Sequence, residues 1–417
     1  MSGDERDTRH VLRLMMGAAV TDMGTGLFFL LGPWLMYDLT RSAFWVGMVA
    51  VVQGLMAWVG PGLGWVVDRV DRRRALIVAL LVQAVGSGGL SLLVDLHRAT
   101  VTLALLGVVL IMTGTRLQLL AGSTVRFLLT PTASRLRLNS WWALVTLLAQ
   151  YGAPGIAGFL LQWRGEGFAL LAQTVSVAPM LAAAIMLPRL AAPPQAESGT
   201  LREAARTLVK ERALWYFTLT MSLWNWSFGG ILAILVYFYR HDLHFTAAEV
   251  GLAGVLMGLI PMGFASLGAK LNQRFGPGRV LVGGVLLSGL GMMVLPGLGS
   301  PYSVGACLGA LDGPIAPILA AMSTISQARI PSRLYGQVNA VRQLVSMGPG
   351  PTASVLAGVL AGRIGAGPVI EGLGAVTVVG AMLLAWRTPV GRVTLGGHFE
   401  DGKGGPGSVS AAAGDVQ

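Results

Sequence analysis

Charge is scarce in this sequence. Only 12% of its 417 residues are Asp, Glu, Lys or Arg, where a soluble domain carries about 25%. Cysteine is nearly absent. The single one, Cys307, excludes an internal disulfide and any metal site built from several thiolates. The five histidines are scattered, so no metal or other cofactor is expected. No Gly-x-x-x-x-Gly-Lys-Ser/Thr run occurs, which leaves an ATP-driven pump unsupported. No nucleophile stands beside a base, so an enzyme is not expected. No cleavable signal peptide is expected either, because the first apolar segment is too long and follows a polar leader. What fills the chain is apolar. Hydrophobic residues make up 54% of it, and its mean hydropathy is +0.67. That composition belongs to an integral membrane protein.

A helix crosses a bilayer in about 20 apolar residues. About twelve such runs can be marked, at 11–36, 44–67, 75–94, 100–128, 139–161, 167–187, 213–238, 247–267, 280–295, 302–326, 332–361 and 368–386. The organisation expected is a leader over 1–10, a six-helix bundle over 11–188, a cytoplasmic linker over 189–212, a second six-helix bundle over 213–387, and a disordered Gly/Ser/Ala tail over 388–417. Within the linker, 201–212 reads as an amphipathic helix on the membrane surface. The halves repeat weakly. Pro131, Asn139 and Gly158 recur as Pro331, Asn339 and Gly358 at an offset of 200 (331 − 131, 339 − 139, 358 − 158), and Leu63-Gly64 recurs as Leu267-Gly268 at 204 (267 − 63).

The net charge of +11 follows topology and gives no reason to expect nucleic acid. Of the Lys and Arg residues, only Arg41, Arg98, Arg164, Arg240 and Arg363 fall in loops on one side, and Arg116 and Arg342 fall within helices. The rest lie in the alternate loops and the terminal segments. By the positive-inside rule both termini are cytoplasmic, in a cell membrane.

The shortest basic turn is Gly64-Trp65-Val66-Val67-Asp68-Arg69-Val70-Asp71-Arg72-Arg73-Arg74. As a sequence it reads equally as a topogenic loop. It also resembles the loop signature of the major facilitator superfamily, Gly-x-x-x-Asp-Arg-x-Gly-Arg-Arg, between that family's second and third helices. Gly64, Asp68, Arg69, Arg72 and Arg73 match, and Asp71 replaces the second glycine. With Tyr37-Asp38-Leu39-Thr40-Arg41-Ser42-Ala43 upstream, the variant resembles the exporter branch that includes siderophore and macrolide carriers. The resemblance implies an all-α membrane protein of twelve helices in two pseudo-symmetric six-helix bundles, working by alternating access. It also implies that the loop is a conformational gate, with Asp68 set against the start of the eleventh helix near Ser332-Arg333.

Ionisable groups inside membrane helices are costly and mark candidate sites. Here they are Asp22, Arg116, Asp312 and Arg342. Asp312 and Arg342 lie on adjacent helices and could simply neutralise one another. Asp22 could bind a coupling proton, or be fixed by a hydrogen bond or by Arg116. Arg116 partly matches the family's fourth-helix Arg-x-x-Gln-Gly, which implies a part in proton coupling. Gly152, Pro154 and Gly158 resemble the antiporter motif Gly-Pro-x-x-Gly-Gly, and Gly348-Pro349-Gly350-Pro351 is a parallel; both also read as plain small-residue packing. Gln53, Gln150, Gln173, Trp224, Asn225 and Trp226 are candidates to line a cavity for an amphipathic molecule. Taken together, these features lead us to expect a proton-coupled exporter of small drug-like or siderophore-like molecules, acting as a monomer with substrate, protons and lipid as its partners. An uptake carrier, a lipid flippase, and a non-transporting receptor or scaffold stand as alternatives.

Overall fold

The computed structural model describes residues 3–129, 135–187, 200–331 and 334–394. Every principal element there is an α-helix. The first half comprises α1 (Gly3–Thr40), α2 (Ala43–Arg69), α3 (Arg72–Asp95), α4 (Val101–Leu129), α5 (Arg135–Ser176) and α6 (Ala178–Ile185). A surface helix, α7 (Leu201–Lys210), leads to the second half. That half comprises α8 (Arg212–Tyr237), α9 (Ala247–Phe275), α10 (Pro277–Val294), α11 (Pro301–Asp312), α12 (Ile315–Arg329), α13 (Tyr335–Met347), α14 (Gly350–Ile364) and α15 (Ala366–Arg387).

Among the described residues, 11 stretches are long and apolar enough to cross a membrane. One of them, Tyr151–Ile185, has 35 residues, far more than a crossing needs. Gly165 breaks it with φ 82° and ψ −174°, a conformation open to glycine but not to residues with a Cβ. Trp163 and Phe168 meet edge to face at 5.6 Å across this break. Two helices meet at this kink, so the stretch makes two crossings, and among the described residues the count rises to twelve. Two other crossings are interrupted in hydrogen bonding only. Pro314 between α11 and α12, and Pro349 between α13 and α14, each lack an N–H. The flanking Gly313 and Gly348 keep helical angles, so each pair remains one bent crossing.

The repeat in the sequence becomes two seams between the halves. A Cβ on Gly158 of α5 would lie 2.3 Å from the Ala247 carbonyl oxygen of α9, and one on Gly358 of α14 would lie 3.1 Å from the Ala43 carbonyl oxygen of α2. Gly251 meets the Pro154 carbonyl as Gly47 meets the Ser354 carbonyl, and Gly258 meets the Tyr151 side chain as Gly54 meets Pro351. The partners keep the offsets 200 (358 − 158, 354 − 154, 351 − 151) and 204 (247 − 43, 251 − 47, 258 − 54). In lipid, helices gain little from burying apolar side chains against one another, so backbone-close packing through small residues holds them together.

Four expectations change. The leader over 1–10 is helical from Gly3, continuous with α1, because intrahelical hydrogen bonding need not stop at a polar boundary. The Tyr37–Ala43 turn shrinks to Arg41 and Ser42. The tail expected to be disordered from 388 starts with an ordered turn, Pro389–Arg392. There Val390 is fully buried, and Gly278 at the start of α10 donates its N–H to the Val393 carbonyl at 3.3 Å. The surface helix is capped by Thr200, whose hydroxyl accepts from the Glu203 N–H at 3.2 Å. It buries Ala204 and Leu208 against α13 and α8, so protein takes up part of the apolar face assigned to lipid.

The seams sort the glycines of the proposed antiporter motif. Gly158→Leu is expected to destabilise by roughly 1–3 kcal/mol or more through overpacking. Gly152 has nothing within 4 Å of a Cβ, and Gly152→Ala should gain about 0.5–1 kcal/mol of helix propensity. Thermal unfolding in detergent checks both. Equal effects at the two positions would make the seam energetically unimportant.

Candidate functional site

On the side away from the α2–α3 loop, the halves are clasped by charge. Asp38 of α1 accepts from Arg240, beyond α8, at 3.0 Å and pairs with Arg41 at 3.2 Å. The Arg240 guanidinium stacks 4.0 Å from the Trp34 ring, and Tyr37 meets Tyr237 edge to face at 5.9 Å. Glu166, just past the Gly165 reversal, hydrogen-bonds Asp38. This clasp is not among the contacts expected from the sequence. Its signal was there: Arg41 and Arg240 are two of the few cations on that side, and Asp38 stands three residues before one of them.

On the α2–α3 loop side, the basic motif secures its own half. Asp71 accepts from the N–H groups of Arg73 at 2.9 Å and Arg74 at 3.2 Å, capping α3. Arg73 donates to the carbonyls of Ala184 at 3.2 Å and Ile185 at 2.6 Å, capping α6. The buried Arg72 donates to the Val67 carbonyl at the end of α2. Arg69 is exposed. A Cβ on Gly64, or on Gly336 of α13, would find nothing within 4 Å. The Asp68 side chain and residues Ser332 and Arg333 lie outside the described residues, as does the Gln150 side chain.

A cavity of about 560 Å³ runs along α13 from Met347 to Gly336, towards the loop side, with α8 and α12 as its other walls. The bend at Pro314 places Asp312 on it, at the end of α11, facing a lining that includes Trp224, Asn225, Met322 and Arg342. Trp224 stacks on Phe228 at 4.6 Å, and its indole N–H is buried with no acceptor. Asn225 donates to the Met221 carbonyl at 2.8 Å, which leaves its own carbonyl as an acceptor. Arg342 donates to Asn339 Oδ1 at 3.2 Å and turns towards the Met322 thioether. The mutual neutralisation considered for Asp312 and Arg342 does not occur. They share the cavity, and no ion pair joins them among the described residues. Helix geometry gives the reason: Arg342 has a local acceptor one turn back on its own helix.

The remaining candidates separate. Trp226 donates to Thr352 at 3.0 Å, in the α8–α14 contact. Gln53 is half-buried on α2, and Gln173 is fully buried inside the first half; neither lines this cavity. Gln118 donates to Asp22 at 3.3 Å. Arg116 lies against α2, where a Cβ on Gly60 would come within 2.9 Å of its guanidinium. Pro154 sits in the α5–α9 seam.

Because Asp312 and Arg342 do not pair, their charges should act separately on stability. In a double-mutant cycle of Asp312→Asn and Arg342→Gln, thermal stabilities are expected to add within about 0.3–0.5 kcal/mol. Rescue of one variant by the other would restore the ion-pair reading.

A search of curated proteins finds no match. Among solved structures it is similar to the nucleoside transporter NupG, with 13% identity and a TM-score of 0.70 over 90% of this chain and 98% of that one. It is similar to a bacterial homologue of the iron transporter ferroportin in an inward-facing state, with 16% identity and a TM-score of 0.67 over 92% and 98%. It is similar as well to a bacterial homologue of the human lysosomal transporter Spinster, inward-facing and unoccupied, with 14% identity and a TM-score of 0.65 over 94% and 97%. At these identities the likeness is one of fold. The family model described as Major Facilitator Superfamily matches residues 14–354, most of the chain, and on that match the protein belongs to the Major Facilitator Superfamily.

Proposed function

We propose that this chain is a secondary active transporter that exports small amphipathic molecules in exchange for protons. The observation that carries the reading is the cavity: aromatic and thioether walls with one carboxyl and one guanidinium that do not neutralise each other. Such a lining suits a ligand with an apolar body and polar ends. Asp312 is the coupling acid in this scheme. A proton and a cationic or hydrogen-bonding substrate group compete for one carboxylate, and that competition links their movements.

In this reading the α2–α3 side is cytoplasmic, which the concentration of basic residues in the loops of that side supports. The clasp of Asp38, Arg41 and Arg240 then closes the outer side, and the cavity leads inward. Alternating access would move the halves about their glycine seams, breaking that clasp and bringing Asp68 against the start of α13. Within this scheme Arg72 and Arg73, as caps of α2 and α6, keep the first half rigid while it moves.

Everted membrane vesicles with an acidic lumen test the proposal against a panel of lipophilic cations, macrolides and siderophores. At least one class is expected to accumulate, and a protonophore should abolish the accumulation. Asp312→Asn should lose gradient-driven accumulation by roughly 10²-fold or more while still exchanging substrate across the membrane. Accumulation that ignores the pH gradient would remove proton coupling. Flux only in the opposite direction would make the chain an uptake carrier.

A further inference from the structure

Asp312 and Arg342 are both half-buried and both line the cavity. A carboxylate only accepts hydrogen bonds, and among the described residues no side chain or backbone N–H donates to Asp312. The phenol of Tyr151, on the α5 side of the α5–α9 seam, lies within electrostatic range of it but brings no positive charge. A guanidinium is the reverse case, with N–H donors in a fixed fork and no acceptor. Arg342 Nε donates to Asn339 Oδ1 at 3.2 Å, and Nη1 to the Met322 thioether at 2.7 Å. A thioether is a weak acceptor, and Nη2 has no acceptor among the described residues.

An ionised group away from water needs a partner of opposite charge or a full set of hydrogen bonds. These two groups could have neutralised each other, and they do not. A ligand that is only a cation would answer Asp312 and leave Arg342 facing an amide and a sulfur. A ligand that is only an anion would do the opposite. One molecule with both charges answers both groups at once. The fork of Arg342 matches a carboxylate, which can take two parallel N–H bonds. Asp312 matches an ammonium group, whose N–H donors all need acceptors. Met221, Trp224, Ile315 and Leu319 supply apolar wall for the body of such a molecule. The cavity, at about 560 Å³, falls within the range of small-molecule pockets, about 300–1,000 Å³.

We propose that the cavity selects amphoteric substrates, molecules with an ammonium group that pairs with Asp312 and a carboxylate that pairs with Arg342, at opposite ends of an apolar body. The inference rests on the transport reading only in taking this cavity as the substrate site. It makes Arg342 a specificity-determining residue, and it ranks amphoteric molecules above simple lipophilic cations.

The test is calorimetric titration of the purified full-length chain in detergent, at neutral pH and with no gradient. The probes are rigid aryl compounds bearing an aminomethyl and a carboxylate group at opposite ends of one, two or three rings. Each is compared with its methyl ester, its N-acetyl derivative and the form blocked at both ends. At one ring length or more, the amphoteric compound is expected to bind roughly tenfold or more tighter than either singly blocked form, the loss expected when a hydrogen-bonded charge goes unmet. In Arg342→Gln the acid and its ester should bind alike while the preference for a free amine remains. In Asp312→Asn the preference for the amine should vanish while the preference for the acid remains. An ester that binds as tightly as its acid at every length in the wild-type chain would overturn the proposal, and so would binding no tighter than that of the doubly blocked forms. The wild-type titrations decide this even if a variant fails to fold. Efflux of lipophilic cations without any preference for a carboxylate would overturn amphoteric selection and leave proton-coupled export standing. Amphoteric binding without gradient-driven flux would do the reverse.

Discussion

Two carbonyl oxygens come close to glycines across the halves: that of Ala247 stands 2.3 Å from where a Cβ on Gly158 would lie, and that of Ala43 stands 3.1 Å from where one on Gly358 would lie. The rest of the structure depends on those approaches. Between helices in a bilayer, the apolar surface that folds a soluble protein is already satisfied by lipid, and association rests on close packing. Gly158, Gly251 and Gly258 make one seam, and Gly47, Gly54 and Gly358 make the other. Their pseudo-symmetric placement joins the two halves along two lines. The proline-bent crossings at Pro314 and Pro349 belong to the second half, and the first of them sets Asp312 on the cavity wall.

Polar groups are distributed by the same economy. An ionised side chain away from water needs partners, and this chain satisfies the need differently in three places. At one end of the bundle, Asp38 and Arg240 join the halves in an ion pair. At the other, Arg72, Arg73 and Asp71 cap helix ends within one half. In the cavity, Asp312 and Arg342 remain apart and both line its wall.

The first half carries a second polar interior beneath its apolar surface. Along α3, Gln83, Ser87 and Ser91 recur at four-residue intervals and are all buried. Ser91 donates to the Gly167 carbonyl at 2.8 Å, and Ser87 accepts from Thr174 at 2.8 Å. This stripe packs α3 against the crossing that follows Gly165. Interhelical hydrogen bonds of this kind fix which faces meet, because a rotated helix would leave its donors in hydrocarbon.

The sequence by itself determined the membrane class, the helix count and the repeat. Each rests on a one-dimensional regularity: run length, charge alternation or a fixed offset. It also marked Asp22, Arg116, Asp312 and Arg342, since a charge within an apolar run is visible without coordinates. Only the tertiary structure decided the partners. Asp22 met Gln118, Arg116 turned to Gly60, and Asp312 and Arg342 shared a cavity without pairing, because a side chain's partner depends on the rotation of its helix about its axis. Run length carries no information on that rotation. Trp224 and Trp226 make the same point, being two residues apart and thus about 200° around the helix. One faces the cavity and the other a neighbouring helix. Gln83 and Glu166 are not marked in the sequence for the same reason, since an amide within an apolar run or an acid at the edge of one gains meaning only from the helices packed beside it.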